Sequence, residues 1–168
     1  MLFIIGFMGA GKTTIGKQLA LHHNLKFIDI DNKIEESTNE SITNIFKKNG
    51  EKYYRQLETE ALILVAKKSI IACGGGLPLY NNNMAFIKEY GTSIYLKASE
   101  EEIFNRLYKN TEGRPLIEGK SAEELKVYIK ETIIKREEFY LKADHTIDTS
   151  NLSKEEVLRK IDTLSITI

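Results

Sequence analysis

One cysteine, Cys73, stands alone in the chain, so no internal disulfide can staple it, and that scarcity suits a reducing compartment. Proline is also scarce, at two residues, and no stretch is of low complexity. With 42% apolar and 29% charged residues, this excludes disordered, collagen-like and coiled-coil readings. Long hydrophobic runs are missing: nothing approaches the roughly 18 apolar residues of a membrane span. The opening run at residues 1–7 is too short before its glycines to be a span or a complete signal segment. An excess of charge is missing as well. The 24 basic and 24 acidic residues cancel, which argues against a surface that tracks a nucleic-acid backbone. The expectation is a soluble cytoplasmic protein with neither nucleic acid nor membrane as partner. Arginine is scarce within a lysine-rich chain: Arg55, Arg106, Arg114, Arg136 and Arg159 are the five. Each is a candidate for a place where a rigid guanidinium fork grips a carboxylate or phosphate.

What is present reads as one domain over residues 1–168, long enough to bury its own core. A short apolar run at 2–7 ends at glycines and is followed by a helical pattern from Lys12 to about His23. Further strands are expected at 26–30, 69–73, 92–96 and 145–147. Helices are expected over much of 32–68, with a turn near Asn49 and Gly50 and a long helix at 51–66, then at 82–89, 98–108, 121–141 and from about Ser153. Ser99 with Glu102 three residues on is a capping-box pattern. Strands separated by helices imply parallel pairing with helices on both faces, a three-layer α/β domain.

The segment Gly6-Phe7-Met8-Gly9-Ala10-Gly11-Lys12-Thr13 matches the pattern G-x-x-x-x-G-K-[ST] and lies between a predicted strand and a predicted helix. Its backbone N–H groups can curl around phosphates at the positive end of the helix. Lys12 then reaches the β- and γ-phosphates, and the Thr13 hydroxyl joins the Mg²⁺ shell. The plain alternative is a glycine-rich turn with a chance lysine. A flavin or nicotinamide loop is disfavoured because it requires neither the lysine nor the threonine.

A motor ATPase or GTPase places a magnesium-organising aspartate at the end of another hydrophobic strand. Here the strand at 69–73 runs into Gly74, Gly75 and Gly76, and the carboxylates follow the second strand instead, at Asp29 and Asp31. In extended chain an i, i+2 pair shares one side, so both face the carboxyl edge of the sheet. Asp29 is better placed toward the ion, and Asp31 toward an acceptor hydroxyl whose proton it takes. Alternatively, Asp31 caps a helix that begins at Asn32. The three glycines suit close backbone approach by a small ligand, or an unusual turn. Arg55, three residues before Glu58, and Arg136 are by spacing alone ordinary surface arginines. Arg114, in Gly113-Arg114-Pro115, sits in a short polar segment between helices that suits a mobile lid carrying a cation to the nucleotide, or a plain exposed loop.

Together these residues resemble the shikimate kinase family. The likeness covers nearly the whole chain: GFMGAGKTTIGKQLA at 6–20, FIDIDNKIE at 27–35, YYRQLE at 53–58, ACGGG at 72–76, EGRPLI at 112–117, KREEFY at 135–140 and HTIDT at 145–149. The resemblance implies a phosphate-loop kinase fold with a five-stranded parallel sheet in order 2-3-1-4-5, acceptor-binding helices at about 32–60, a lid at about 109–120, and a monomer. It implies transfer of the γ-phosphoryl of ATP to the 3-hydroxyl of shikimate, a step toward chorismate and the aromatic amino acids. By the same likeness, Gly9, Ala10, Gly11, Lys12, Thr13 and Thr14 hold the nucleotide, with Thr13 and Asp29 near Mg²⁺. Asp31 holds and activates the acceptor hydroxyl, Arg55 and Arg136 grip the substrate carboxylate, and Gly75 and Gly76 make close backbone contacts. Lys12, Asp31 and Arg114 form the catalytic set, Arg114 closing over the phosphates.

Three positions depart from the pattern. Tyr54 stands where the family often has phenylalanine. Leu107 stands where a second lid arginine is common, with Arg106 beside it. The segment after Asp148 and Thr149 lacks the arginine that often stacks on adenine. A gluconate kinase shares the loop and architecture and remains the nearest alternative; a non-catalytic nucleotide-binding module is the alternative of another class. His22 and His23 diverge by about 100° if both are helical, which disfavours a shared metal. Cys73, in an apolar strand, reads as an inert core residue rather than a nucleophile.

Overall fold

A computed structural model describes residues 1–109, 113–164 and 166. In chain order the elements are β1 (Leu2–Ile5), α1 (Lys12–His22), β2 (Lys26–Asp29), α2 (Ile30–Thr38), α3 (Ile42–Ile63), β3 (Ser69–Ala72), a single 3₁₀ turn (Leu77–Leu79) and α4 (Asn83–Tyr90). They continue with β4 (Thr92–Lys97), α5 (Glu100–Tyr108), α6 (Ala122–Tyr140), β5 (His145–Asp148) and α7 (Lys154–Asp162). Residues 110–112 of the expected lid lie outside the described residues. Those after Gly113 form turns anchored by the buried side chain of Ile117, whose N–H bonds Arg114 O at 3.0 Å.

All strand pairs are parallel, in the order β2-β3-β1-β4-β5 that the resemblance implied. The central strands β1 (LFII) and β3 (SIIA) are buried at every residue, as expected where helices cover both faces. The edge strands β2 and β5 are only partly buried, and they carry the polar residues. Phe3, Ile4, Ile71, Ile94 and Leu96 are fully covered and join residues of every helix in one core. The connection from β1 to β2 runs across the sheet in the direction opposite to all later ones. Right-handed crossovers therefore put α1 on the opposite face from α4, with α7 packed beside α1. The direction changes between β1 and β3, and a crevice opens there at the carboxyl edge, where ligands collect in such sheets. Among the described residues no helix is long and apolar enough to cross a membrane.

Two local readings need correction. The helical stretch after residue 32 breaks at Asn39, which adopts φ 53°, before Ser41 caps α3 by accepting the Asn44 N–H; the expected turn at Gly50 is also present. At α5 only half of the capping box forms. Ser99 accepts the Glu102 N–H, but Glu102 Oε1 accepts Asn151 N–H (3.0 Å), and Ser99 N–H goes to Ser150 Oγ (3.1 Å). The loop between β5 and α7 thus takes over the second half of the cap. Complete boxes form instead at Ser121 with Glu124 and at Ser153 with Glu156.

Candidate active site

The loop from β1 to α1 is held open by its glycines. At Gly6 (φ 141°) a Cβ would stand 2.6 Å from Leu96 O, so only glycine lets the chain pass the end of β4. Gly11 caps α1 with φ 96° and no side chain, and the first turn of α1 contains no acidic residue. By contrast α5, α6 and α7 each have a serine cap and acidic residues in the first turn. The first N–H groups of α1 are therefore left for an anion. Lys12 Nζ folds back to donate to Gly6 O (2.9 Å) and Phe7 O (2.8 Å). Burial lowers the Lys12 pKa, opposed by the nearby Asp31 and Asp29 carboxylates. A cavity of about 430 Å³ opens over the loop, lined by residues from Gly9 to Ile15 and by Arg106, Arg114, Thr149, Leu152, Lys154 and Val157.

Asp29 and Asp31 converge on this site by a different route from the extended pairing read from the sequence. The chain turns helical at Ile30, so Asp31 lies in the first turn of α2, and the cap of that helix is Asp29. Asp29 Oδ1 accepts Asp31 N–H (3.1 Å), while its Oδ2 accepts the Thr13 hydroxyl (2.7 Å). One carboxylate thus serves fold and loop together. Asp31 is half-buried and accepts the Tyr54 hydroxyl at Oδ1 (2.7 Å). Burial raises its pKa, and the bond from Tyr54 opposes that rise.

Arg55 and Arg136 are not surface arginines; they are 5% and 7% exposed. Arg55 donates to Glu58 Oε2 (2.6 Å) and to Glu51 Oε1 (2.6 Å) from α3. Burial pulls its pKa down, but the two carboxylates outweigh that and raise it. Glu58 is pushed up to about 7 because burial outweighs its pairing with Arg55, and its Oε1 has no hydrogen-bond partner among the described residues. The three glycines let both arginines approach. A Cβ on Gly76 would meet the Arg55 Cζ at 2.6 Å, and one on Gly75 would lie 3.2 Å from Met8 N and 3.6 Å from Arg136 Nη1. Arg136 stands over the Phe7 ring, and Tyr140, one helical turn on, donates to Gly75 O (2.5 Å). A second cavity of about 110 Å³ results, lined by Asp31, Tyr54, Arg55, Glu58, Gly74, Gly75, Gly76, Arg136 and also Arg114. Arg114 therefore borders both cavities.

Several contributors were not legible in the chain. Arg106 donates to Gly9 O (3.0 Å) and so braces the phosphate loop from α5, a role its position beside Leu107 left open. Lys154, on the first turn of α7, lines the cavity over the phosphate loop. Burial raises the Cys73 thiol pKa far above its ordinary value, which matches the inert reading. The two histidines do come together, because α1 ends at His22 and His23 leaves the helix. Their ligand atoms lie within 4.8 Å of each other and of Asp162, and His23 Nε2 is 3.3 Å from Asp162 Oδ1. This exposed cluster is at the opposite end of α1 from the phosphate loop.

A five-stranded parallel sheet, an uncapped phosphate loop on its central strand and an adjoining cavity of one aspartate and two buried arginines define a phosphate-loop kinase of small anionic metabolites. The chain belongs to the shikimate kinase family, whose profile matches residues 8–164. It is 41% identical to the shikimate kinase of Parabacteroides distasonis over 162 residues, spanning 95% of this chain and 94% of that protein. It is 44% identical to that of Thermodesulfovibrio yellowstonii, spanning 95% and 91%. Among solved structures, the shikimate kinase of Bacteroides thetaiotaomicron superposes with a TM-score of 0.89 at 33% identity, covering 96% of this chain and 95% of that one. Shikimate kinase from Acinetobacter baumannii in complex with shikimate superposes with a TM-score of 0.88 at 32% identity, covering 95% and 89%.

Proposed function

We infer that the protein is a shikimate kinase that transfers the γ-phosphoryl of ATP to the 3-hydroxyl of shikimate, giving shikimate 3-phosphate and ADP. The observation that carries this is the pair of adjoining cavities: one ends on the phosphate loop, the other holds Asp31 opposite two arginines, and Arg114 borders both. The first takes ATP, with Gly9, Ala10, Gly11, Lys12, Thr13 and Thr14 around its phosphates. The second takes shikimate, whose carboxylate pairs with Arg55 and Arg136 and whose ring lies against Gly75 and Gly76. A related enzyme of this fold holds shikimate in its structure.

In the transfer the acceptor oxygen forms a bond to the γ-phosphorus as the bond to the ADP oxygen breaks, and the hydroxyl proton passes to Asp31. Lys12 and Arg114 neutralise the charge on the moving phosphoryl. The Thr13 hydroxyl and Asp29 carboxylate, 2.7 Å apart, are hard oxygen donors of the type that suits Mg²⁺ and would hold it beside the phosphate loop. The chemistry such an ion would supply there is neutralisation of phosphate charge during transfer. The free thiol of Cys73 suits the reducing cytoplasm.

The test is ADP release with shikimate, gluconate and nucleoside monophosphates as acceptors. Turnover with shikimate alone, lost by at least ~100-fold in Lys12→Met with an unchanged circular dichroism spectrum, is the expected result. Preference for gluconate would overturn the acceptor assignment.

A further inference from the structure

Tyr54 brings a hydroxyl to the acceptor pocket, and that hydroxyl does not face solvent. The ring is 4% exposed and is fixed by Phe46, at 4.8 Å between centroids, and by the Arg55 guanidinium stacked 5.3 Å from its centre. Held in this way, it directs its O–H to Asp31 Oδ1 at 2.7 Å. Asp31 Oδ1 also lies near the space a Gly74 Cβ would fill, toward the unpartnered Oε1 of Glu58. Two carboxylates therefore crowd one corner of the pocket, and repulsion alone would let the Asp31 carboxylate swing away from it.

We propose that Tyr54 is a positioning residue for phosphoryl transfer: its hydrogen bond ties down Oδ1 of Asp31, so that Oδ2 is the oxygen presented to the acceptor hydroxyl. This rests on the reading of Asp31 as the proton acceptor. A rigid donor on a buried ring fixes the rotation of the carboxylate without contributing charge to the substrate, so its effect belongs to the chemical step rather than to affinity. A phenylalanine at this position retains the packing against Phe46 and Arg55 and loses only the tie.

Tyr54→Phe and Asp31→Asn are to be compared by steady-state kinetics and by isothermal titration with shikimate and with ATP. For Tyr54→Phe the expected result is a kcat about tenfold below wild type, the size of one hydrogen bond to a charged group, with both dissociation constants within about twofold. An unchanged kcat overturns the proposal, as does a fall in kcat matched by an equal loss of shikimate affinity, which marks a merely structural role. Asp31→Asn separates the two readings. If it turns over at the native rate, the assignment of Asp31 fails; if it is slow while Tyr54→Phe is native, only the role of Tyr54 fails.

Discussion

Arg55 and Arg136 meet at the same glycine loop but differ in their partners within the protein. Arg55 neutralises Glu58, which is fully buried, whereas among the described residues no carboxylate is paired with Arg136. Arg55→Ala is expected to destabilise the fold by about 1–3 kcal/mol at neutral pH, because it leaves the buried Glu58 carboxyl without its partner and drives it to take up a proton. Arg136→Ala is expected to weaken shikimate binding ~10- to 150-fold with a much smaller loss of thermal stability. Titration calorimetry and thermal melts of both variants check this contrast. Glu58 itself makes stability depend on pH. Its pKa is raised from 4.5 to about 7 by burial, so the native state holds a proton that the unfolded state releases. That contribution is fully present below about pH 4.5 and is lost as pH rises through about 7. Glu58→Gln should flatten the fall in unfolding free energy across this window by on the order of 1 kcal/mol per pH unit, read from urea midpoints at several pH values. The pairing of Arg55 with Glu58 was visible as an i, i+3 spacing, but its burial was not, because spacing says nothing about which face of α3 is covered by other elements.

Among the elements, α3 contributes more described residues to the second cavity than any other, and its kink sets how that face is aimed. Gly50 has φ 78° and ψ 173° inside the helix, and a Cβ there would meet nothing within 4 Å. Gly50→Ala therefore carries a backbone penalty alone, about 1–3 kcal/mol. It should lower the melting temperature and weaken shikimate binding while leaving ATP affinity in place, since Tyr54, Arg55 and Glu58 follow the kink and the phosphate loop does not. Asn49-Gly50 announced that turn by residue type. The break at Asn39 was less visible, since it depends on Ser41 accepting the Asn44 N–H and on Glu35 Oε1 accepting the Ile42 N–H (2.9 Å), a bond between two elements. The capping box at Ser99 failed for the same kind of reason: a distant loop offered Glu102 a partner.

At the scale of the whole molecule, the two cavities share Arg114, half-buried on the segment between α5 and α6. Ligands in both cavities should therefore bind with positive coupling, each tightening the other roughly fivefold or more. Thermal shifts with shikimate, with a non-hydrolysable ATP analogue and with both should exceed additivity in the native protein and return to it in Arg114→Ala.

The sequence by itself determined the phosphate loop, because a strand, a G-x-x-x-x-G-K-[ST] turn and a helix are contiguous and need no distant partner. It also determined the alternation of strands and helices that leads to a parallel sheet with covered faces. Only the tertiary structure decided that Asp29, not Asp31, caps α2, that Arg106 braces the phosphate loop, and that Tyr54 reaches Asp31 across 23 positions of chain. Each of these depends on burial and on the approach of separate elements. The parallel crossovers bring β2, α3 and the Gly74–Gly76 turn to one edge of the sheet, and residue type alone does not carry that geometry.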